Sequence, residues 1–230
     1  MQVMSEISAE LTEIFQMVHH MRKTEKGAFL FQEGENAAEL FLIQSGKVQI
    51  SKMVPDGREL TLRMCSEGDL IGELSLFCPA PKYMLSAKIV ESGEVAVIYR
   101  DDLEEKLAEN SRAALEFMRW LSGQHRKTQT KFRDLVLHGK KGALYSTLIR
   151  LSNSYGVARK NGILINVPLT NQDLANFCGT SREVVNRLLS ELRKNDIISM
   201  DKSLITIQDL DYLKLEIDCE NCPVDICNIE

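Results

Sequence analysis

The sequence predicts an α+β protein: an antiparallel, β-rich N-terminal half, a long helix, and a C-terminal helix-turn-helix unit. Three observations carry that expectation. Residues 26–99 form short apolar runs broken by glycine, residues 114–135 carry a seven-residue apolar repeat, and residues 170–195 read as two capped helices joined at Gly179.

Residues Ser5 to Met21 place Ile7, Leu11, Ile14, Phe15 and Val18 on one helical face. Beyond Lys26, the runs GAFLFQEGE, ELFLIQSGKVQISKM, DGRELTLRMC, EGDLIGELSLF and EVAVIYR alternate or cluster apolar residues. Turn signals fall at Gly34, Ser45-Gly46, Asp56-Gly57, Gly68 and Gly93. Strands at such spacing suggest a small antiparallel barrel or sandwich. The helical stretch that follows spaces Ala114, Met118, Leu121, His125, Thr128, Phe132 and Leu135 as 4-3-4-3-4-3. A helix lying on its own domain wants a wider apolar stripe, whereas a narrow seam fits a parallel two-stranded coiled coil. A homodimer is therefore expected across Met118, Leu121, His125, Thr128, Phe132 and Leu135, with His125 and Thr128 as weakening members. Gly139 and Gly142 mark a hinge. ALYSTLIRLSNSYG then reads as a helix, GILINVPL as a strand region, and IISMDKSLITI as a hairpin turning at Asp201-Lys202.

Within the helix pair, Thr170 caps a short helix carrying Leu174, Ala175 and Phe177, and Thr180 with Glu183 has the form of a capping box. Val184, Val185, Leu188, Leu189 and Leu192 make a buried stripe, and Arg182, Glu183, Asn186 and Arg187 share the other face. An Arg can fork onto guanine O6 and N7, and a Glu can accept from cytosine N4. A charged surface helix of an all-α domain is the alternative. The stretch GTSREVVNRLLSELRKNDIIS resembles the helix-turn-helix of the CRP/FNR family of bacterial transcription regulators, whose recognition signature is S-R-E-x-x-x-R-x-L.

The resemblance implies a β-roll like the cyclic-nucleotide-binding one over 1–110, with GDLIGELSLF its most recognisable segment, and a dimerisation helix over 111–138. It also implies a winged helix-turn-helix DNA-binding domain over 139–208 and a separate tail over 209–230. The expected DNA-binding residues are Thr170, Gln172, Thr180, Ser181, Arg182, Glu183, Asn186 and Arg187, reading palindromic TGTGA-type half-sites about 34 Å apart. RNA polymerase is the implied further partner. Asn186 departs from the Ser of many FNR proteins and leaves the outer bases open. No cAMP is expected: Gly72 and Glu73 are present, but Leu85 precedes Ser86-Ala87 where cyclic-nucleotide binders carry an Arg for the phosphate.

No apolar run reaches the roughly 18 residues that span a bilayer, and the N-terminus is acidic and amphipathic, so a cytoplasmic protein without membrane contact is expected. The formal net charge of −5 conceals segregation. Seven Lys/Arg against Asp134 give +6 between Arg119 and Lys141, and seven Asp/Glu against Lys214 give −6 from Asp209 to Glu230.

That acidic tail holds Cys219, Cys222 and Cys227 as C-x2-C-x4-C. Three thiols so close can face one metal centre, and the spacing alone serves zinc or iron–sulfur equally. The chain resembles the Bacillus-type FNR proteins, which implies one 4Fe-4S cluster per subunit on these cysteines, with a non-cysteine fourth ligand and oxygen-dependent activation of anaerobic genes. If the tail folds onto the basic block, the carboxylate available there is Asp134. The competing role for Asp134 is a surface ion pair with Lys131 or Lys127. His138 and Cys178 are poorer ligand candidates, Cys178 reading as buried packing, and Cys65 and Cys78 belong to the β-roll. The other reading of the whole chain is a regulator responding to a small molecule in the β-roll, its tail stapled by zinc. No nucleophile–base grouping, phosphate loop or paired carboxylates point to an enzyme.

Overall fold

The computed structural model describes residues 20–229. The helix expected over Ser5–Met21 lies outside them, apart from His20 and Met21, which open a strand instead. The N-terminal half is an antiparallel sheet of β1 (His20–Thr24), β2 (Phe29–Phe31), β3 (Glu39–Met53), β4 (Glu59–Cys65), β5 (Leu70–Ile71) and β6 (Ser86–Tyr99). Its order is β1-β6-β3-β4, with β2 also on β6 and β5 on β3. The spine is the β3–β6 pair, which runs from Glu39 opposite Tyr99 to Ser51 opposite Ser86.

Two expected turns are corrected here. Ser45-Gly46 and Gly93 lie inside long strands, where the register shifts between Ile43 and Val48. A Cβ on Gly93 would stand 2.1 Å from the Ser45 carbonyl oxygen. Glycine at this crossing permits the close approach and the bulge that lets a long pair curl around its core. That core gathers Phe41, Ile43, Val48, Ile89 and Val97, with Phe31 stacked on Tyr83 at 3.8 Å between centroids.

From β6 the chain enters α1 (Arg100–Glu109) and α2 (Ser111–Leu137). The Asn110 side chain caps α2 by accepting from the Ala113 N–H. Ala113 and Phe117 bury one face of α2 against Leu103, Leu107, Leu40 and Leu70. Along the other face Met118 is 58% and Phe132 66% exposed.

The second half is built around α3 (Gly139–Tyr155), buried at every position from Gly142 to Ser152. Gly139 adopts φ +59° at the break between α2 and α3. A Cβ on Gly142 would lie 2.0 Å from the His138 Cβ. β7 (Gly156–Arg159), β8 (Gly162–Ile165), α4 (Asn171–Cys178), α5 (Arg182–Lys194), β9 (Ile198–Asp201), β10 (Leu204–Ile207) and α6 (Leu210–Leu215) follow. The four strands form a sheet ordered β7-β8-β10-β9. The β9–β10 hairpin turns through Lys202 at φ +54°, as its sequence suggested.

Candidate nucleic-acid interface and metal centre

The helix-turn-helix is locked by its caps. The Thr170 hydroxyl accepts from the Asp173 N–H at 3.1 Å, and the Asp173 carboxylate accepts from the Thr170 N–H at 2.8 Å. Gly179, left-handed at φ +58°, ends α4. The second cap is not the expected one. Ser181 accepts from the Val184 N–H, while the Thr180 hydroxyl is buried without a hydrogen-bond partner among the described residues. The chain leaves the Gly179 turn and reaches the extended cap geometry only at Ser181 (φ −88°, ψ 154°), one residue later than the capping-box spacing suggests.

α5 buries Val185, Leu188, Leu189 and Leu192 and leaves Arg182, Glu183, Asn186 and Arg187 exposed, as read from the sequence, whereas Val184, expected in the same stripe, is only half-buried at its edge. Its own backbone N–H and the Ser181 hydroxyl hold the Glu183 carboxyl below its ordinary range, leaving a pure acceptor. Thr170 and Gln172 are engaged within the unit: Thr170 with Asp173, and Gln172 donating to the Asn176 side-chain oxygen at 2.8 Å. Asn171 was not singled out in sequence. Its side-chain amide donates to the Asn186 side-chain oxygen at 3.1 Å.

The tail folds back on α2 and α3. Glu220 pairs with Arg133, and Glu216 with Lys141 at 2.7 Å, so acidic tail and basic block do meet. Ile226 and Ile229 are buried. The Ile229 carbonyl accepts from the Met64 N–H of β4 at 3.2 Å, and the Cys227 carbonyl accepts from the Asn153 side chain of α3.

Beneath the tail lies Arg150, which the sequence reading passed over inside an apolar helix. Its guanidinium donates to Asp134 at 2.9 Å and to the carbonyls of Ile226 at 3.3 Å and Asn228 at 3.5 Å. It also reaches the hydroxyls of Ser146 and Thr130, each at 3.2 Å. Asp134 is thus no surface residue: it is 4% exposed, and its partners are Arg150, Arg133 and Ser146 rather than Lys131 or Lys127. Burial pulls its carboxyl upward, but the bonds from Ser146, Arg150 and Arg133 outweigh that and hold it below the ordinary carboxylate range.

Cys219, Cys222 and Cys227 are free thiols, each partly buried. Burial raises the Cys227 thiol; Arg150 opposes that shift, and Cys219, Cys222 and Asp134 reinforce it. Cys219, Cys222 and Asp134 are thereby each within electrostatic reach of Cys227. Among the described residues, no set of three His, Cys, Asp or Glu already converges on a single metal ion. Cys178 is buried with its sulfur 3.6 Å from the Thr147 hydroxyl, as packing, and its thiol is pushed up to about 11 by desolvation.

A third contact seats the helix-turn-helix on the β-roll. The Lys131 ammonium donates to the carbonyls of Thr61 and Leu62 in β4, both at 3.0 Å, and lies 5.2 Å from the Phe177 ring centre in α4. Beside it, Glu59 accepts from Asn176 of α4 at 2.9 Å and from Gln49 of β3 at 3.0 Å. Lys131 is only partly buried along its length, but its ammonium is enclosed. Desolvation, with the charge of Arg150 beside it, lowers its pKa to about 7, with Cys178 acting weakly the other way.

The β-roll and α2 enclose a largely apolar cavity of about 490 Å³, lined in part by Glu73, Leu85, Leu121, His125, Thr128 and Phe132. Glu73 is taken by Arg63 at 2.9 Å.

A β-roll joined through a long helix to a winged helix-turn-helix, with polar side chains exposed along its second helix, defines a class of two-domain DNA-binding regulators. A cyclic nucleotide-binding domain profile matches residues 21–110 and a Crp-like helix-turn-helix profile residues 142–215. The chain is 57% identical to the anaerobic regulatory protein of Bacillus subtilis (strain 168), over 97% of this chain and 94% of that protein. It is 31% identical to the CRP-like cAMP-activated global transcriptional regulator of Mycobacterium tuberculosis (strain H37Rv), over 82% and 84% of the two chains. The fold matches that of the c-di-GMP responsive global regulator CLP of Xanthomonas campestris with a TM-score of 0.74 at 24% identity, over 87% of this chain and 99% of that one. The chain belongs to the CRP/FNR family of DNA-binding transcription regulators and is not an enzyme. No helix among its described residues is long and apolar enough to cross a membrane.

Arg150→Met leaves the Asp134 carboxylate buried with only Arg133 as counter-charge, and a loss of about 3 kcal/mol is expected in urea unfolding. Adding Asp134→Asn should recover most of that loss; simple additivity would show the pair to be uncoupled. Lys131 gives a pH signature. Its folded pKa of about 7 lies below the ordinary 10.5, so above pH 7 the unfolded chain binds more protons and stability rises with pH. Below that point both states are charged and the burial penalty is fully present. The melting temperature should therefore rise between pH 7 and about 9 more steeply in the wild type than in Lys131→Met.

Proposed function

We propose that this chain is an oxygen-responsive regulator that binds palindromic TGTGA-type operators as a homodimer and activates anaerobic genes with RNA polymerase. Its control element is one 4Fe-4S cluster per subunit on Cys219, Cys222 and Cys227, with Asp134 as fourth ligand. The observation that carries this reading is the docking of the three-thiol tail beside Asp134 through Arg150. Similarity to an anaerobic regulator over nearly the whole chain supports it. So does the stripe of Met118, His125, Thr128 and Phe132, exposed at heptad spacing on α2 in the single chain.

The donor set suits such a group: three thiols free of disulfides, soft ligands for iron, and a harder carboxylate within electrostatic reach. When bound, the cluster supplies an iron–sulfur centre open to attack by oxygen. The protein's own residues supply the coupling. Arg133–Glu220 and Lys141–Glu216 hold the tail to the end of α2 and the start of α3. Arg150 joins both helices to the tail backbone. Both Asp134 oxygens are already hydrogen-bonded, so serving as a ligand requires Asp134 to yield part of its bond to Arg150, Arg133 or Ser146. Tail placement and the α2–α3 crossing at Gly139 are thus set by the same side chains, and through them the spacing of two recognition helices.

The β-roll keeps the family scaffold without the phosphate ligand: Leu85 stands in the Arg position, and Glu73 is neutralised by Arg63. A second reading, favoured by the apolar cavity under α2, is a regulator answering a small apolar molecule there, with zinc on the tail.

Anaerobic purification decides between them. About four iron and four sulfide per chain, with a brown colour bleaching in air, is expected, and is lost when Cys219, Cys222 and Cys227 are all changed to serine. Asp134→Ala should still assemble the cluster but lose it faster in air. A colourless protein with one zinc per chain would instead support the second reading. For the DNA face, Arg187→Ala should weaken operator binding about tenfold or more at fixed salt while leaving binding to random DNA nearly unchanged.

A further inference from the structure

The amide pair between the two helices of the helix-turn-helix bears on which bases are read. Asn171 is the first residue of α4, held there by the reciprocal Thr170–Asp173 cap. Its neighbour Gln172 is turned away toward Asn176, which in turn donates to Glu59. Asn171 points instead at α5, and its amide N–H donates to the Asn186 side-chain oxygen. Asn186 is exposed on the face that carries Arg182, Glu183 and Arg187.

An asparagine free in the major groove presents an acceptor and a donor together, the combination that pairs with adenine N6 and N7. Here the amide oxygen of Asn186 is engaged by the Asn171 amide at 3.1 Å. That bond orients the carboxamide oxygen toward α4 and leaves the NH2 group as the free end available to a base. That group complements bases presenting acceptors, thymine O4 or guanine O6 and N7, and meets a like donor on cytosine N4.

We propose that Asn171 is a specificity-setting residue: it orients the Asn186 amide so that the recognition helix selects guanine or thymine, against cytosine, at one base pair of each half-site. Asn171 acts through Asn186 and is a positioning residue rather than a base contact. The inference rests on the reading of the exposed α5 face as the base-reading face.

The test uses the full chain and duplex operators in which each half-site position is varied through all four bases, with binding followed by fluorescence anisotropy at one salt concentration. The wild type should favour guanine or thymine over cytosine at one pair by about fivefold, the worth of one net hydrogen bond and less than a bidentate contact gives. Asn186→Ala should flatten that preference at that pair alone. Asn171→Ala should flatten it at the same pair, and the double substitution should do no more, because the two residues act as one unit. Asn171→Asp is the stronger variant, since an acid is favourable in the first turn of a helix. Its carboxylate accepts from Asn186, turns the amide oxygen toward the groove, and should move the preference to cytosine or adenine. Unchanged affinity for a scrambled duplex reports an intact fold in Asn171→Ala. If Asn171→Ala keeps the preference that Asn186→Ala abolishes, the proposal is overturned and the base-reading face stands. If Asn186→Ala alters no position, the role of Asn186 in base reading fails and takes the proposal with it.

Discussion

The ion pair of Arg150 with Asp134 is the interaction on which the C-terminal half depends. Burying two opposite charges costs several kcal/mol per ion unless their remaining hydrogen-bonding capacity is satisfied. Here it is satisfied from three directions: Thr130 and Asp134 on α2, Ser146 on α3, and the Ile226 and Asn228 carbonyls of the tail. Remove the tail and the guanidinium loses two acceptors in a site closed to water. The last dozen residues are therefore part of the core, anchored by Ile226 and Ile229, and not an appendage to it. Any event that changes what the tail cysteines hold is transmitted to the crossing of α2 and α3 through a short, rigid path.

The contact between the DNA-reading unit and the β-roll is of another kind. Lys131 and Glu59 join it through carbonyl, carboxamide and ring contacts, with Leu60 the apolar member, approaching the turn at Gly179. Polar contacts of this sort can be exchanged for water at small net cost, whereas a buried apolar interface cannot. The chain thus combines a firm joint, at Arg150, with an adjustable one, at Lys131. Each has a member on the last turns of α2, Asp134 for the first and Lys131 for the second, which makes that short stretch the place where tail, β-roll and helix-turn-helix are set relative to one another.

Most of the architecture was legible because it follows from periodicity and capping. Most strands, the long helix α2, the apolar stripe of α5 and the β9–β10 wing all appear in residue spacing, which local physics reads directly. What escaped was long-range. Ser45-Gly46 and Gly93 look like turns, since glycine signals backbone freedom without saying whether a chain reverses or a neighbouring strand approaches. Arg150 was hidden because a lone charge in LIRL marks no partner, although an ionic residue on the apolar face of a helix is a signal that something must neutralise it. The cap at Ser181 in place of Thr180 was a one-residue error in a region where either hydroxyl fits the pattern. The meeting of basic block and acidic tail was legible from charge alone, but not the depth at which Asp134 lies.

That meeting also resolves how an acidic chain serves DNA. The basic run before Lys141 resembles an electrostatic footprint for phosphates, yet much of it is used inside the molecule: Arg133 on Glu220 and Asp134, Lys141 on Glu216, Lys131 on backbone carbonyls. Arg133 and Lys141 answer the charge of the tail, and Arg150 faces the charge that three thiolates would add. Cations left at the DNA-reading unit include Arg182 and Arg187, both exposed at the start of α5. Arg159, Lys160, Arg193, Lys194 and Lys202 are also exposed on that unit and are available to phosphates, while sequence is read by what the side chains of α5 say to base edges. Phosphate contacts of that kind fix position without choosing sequence, so the orientation of individual groups on α5, down to the turn of one amide, carries the discrimination that net charge cannot.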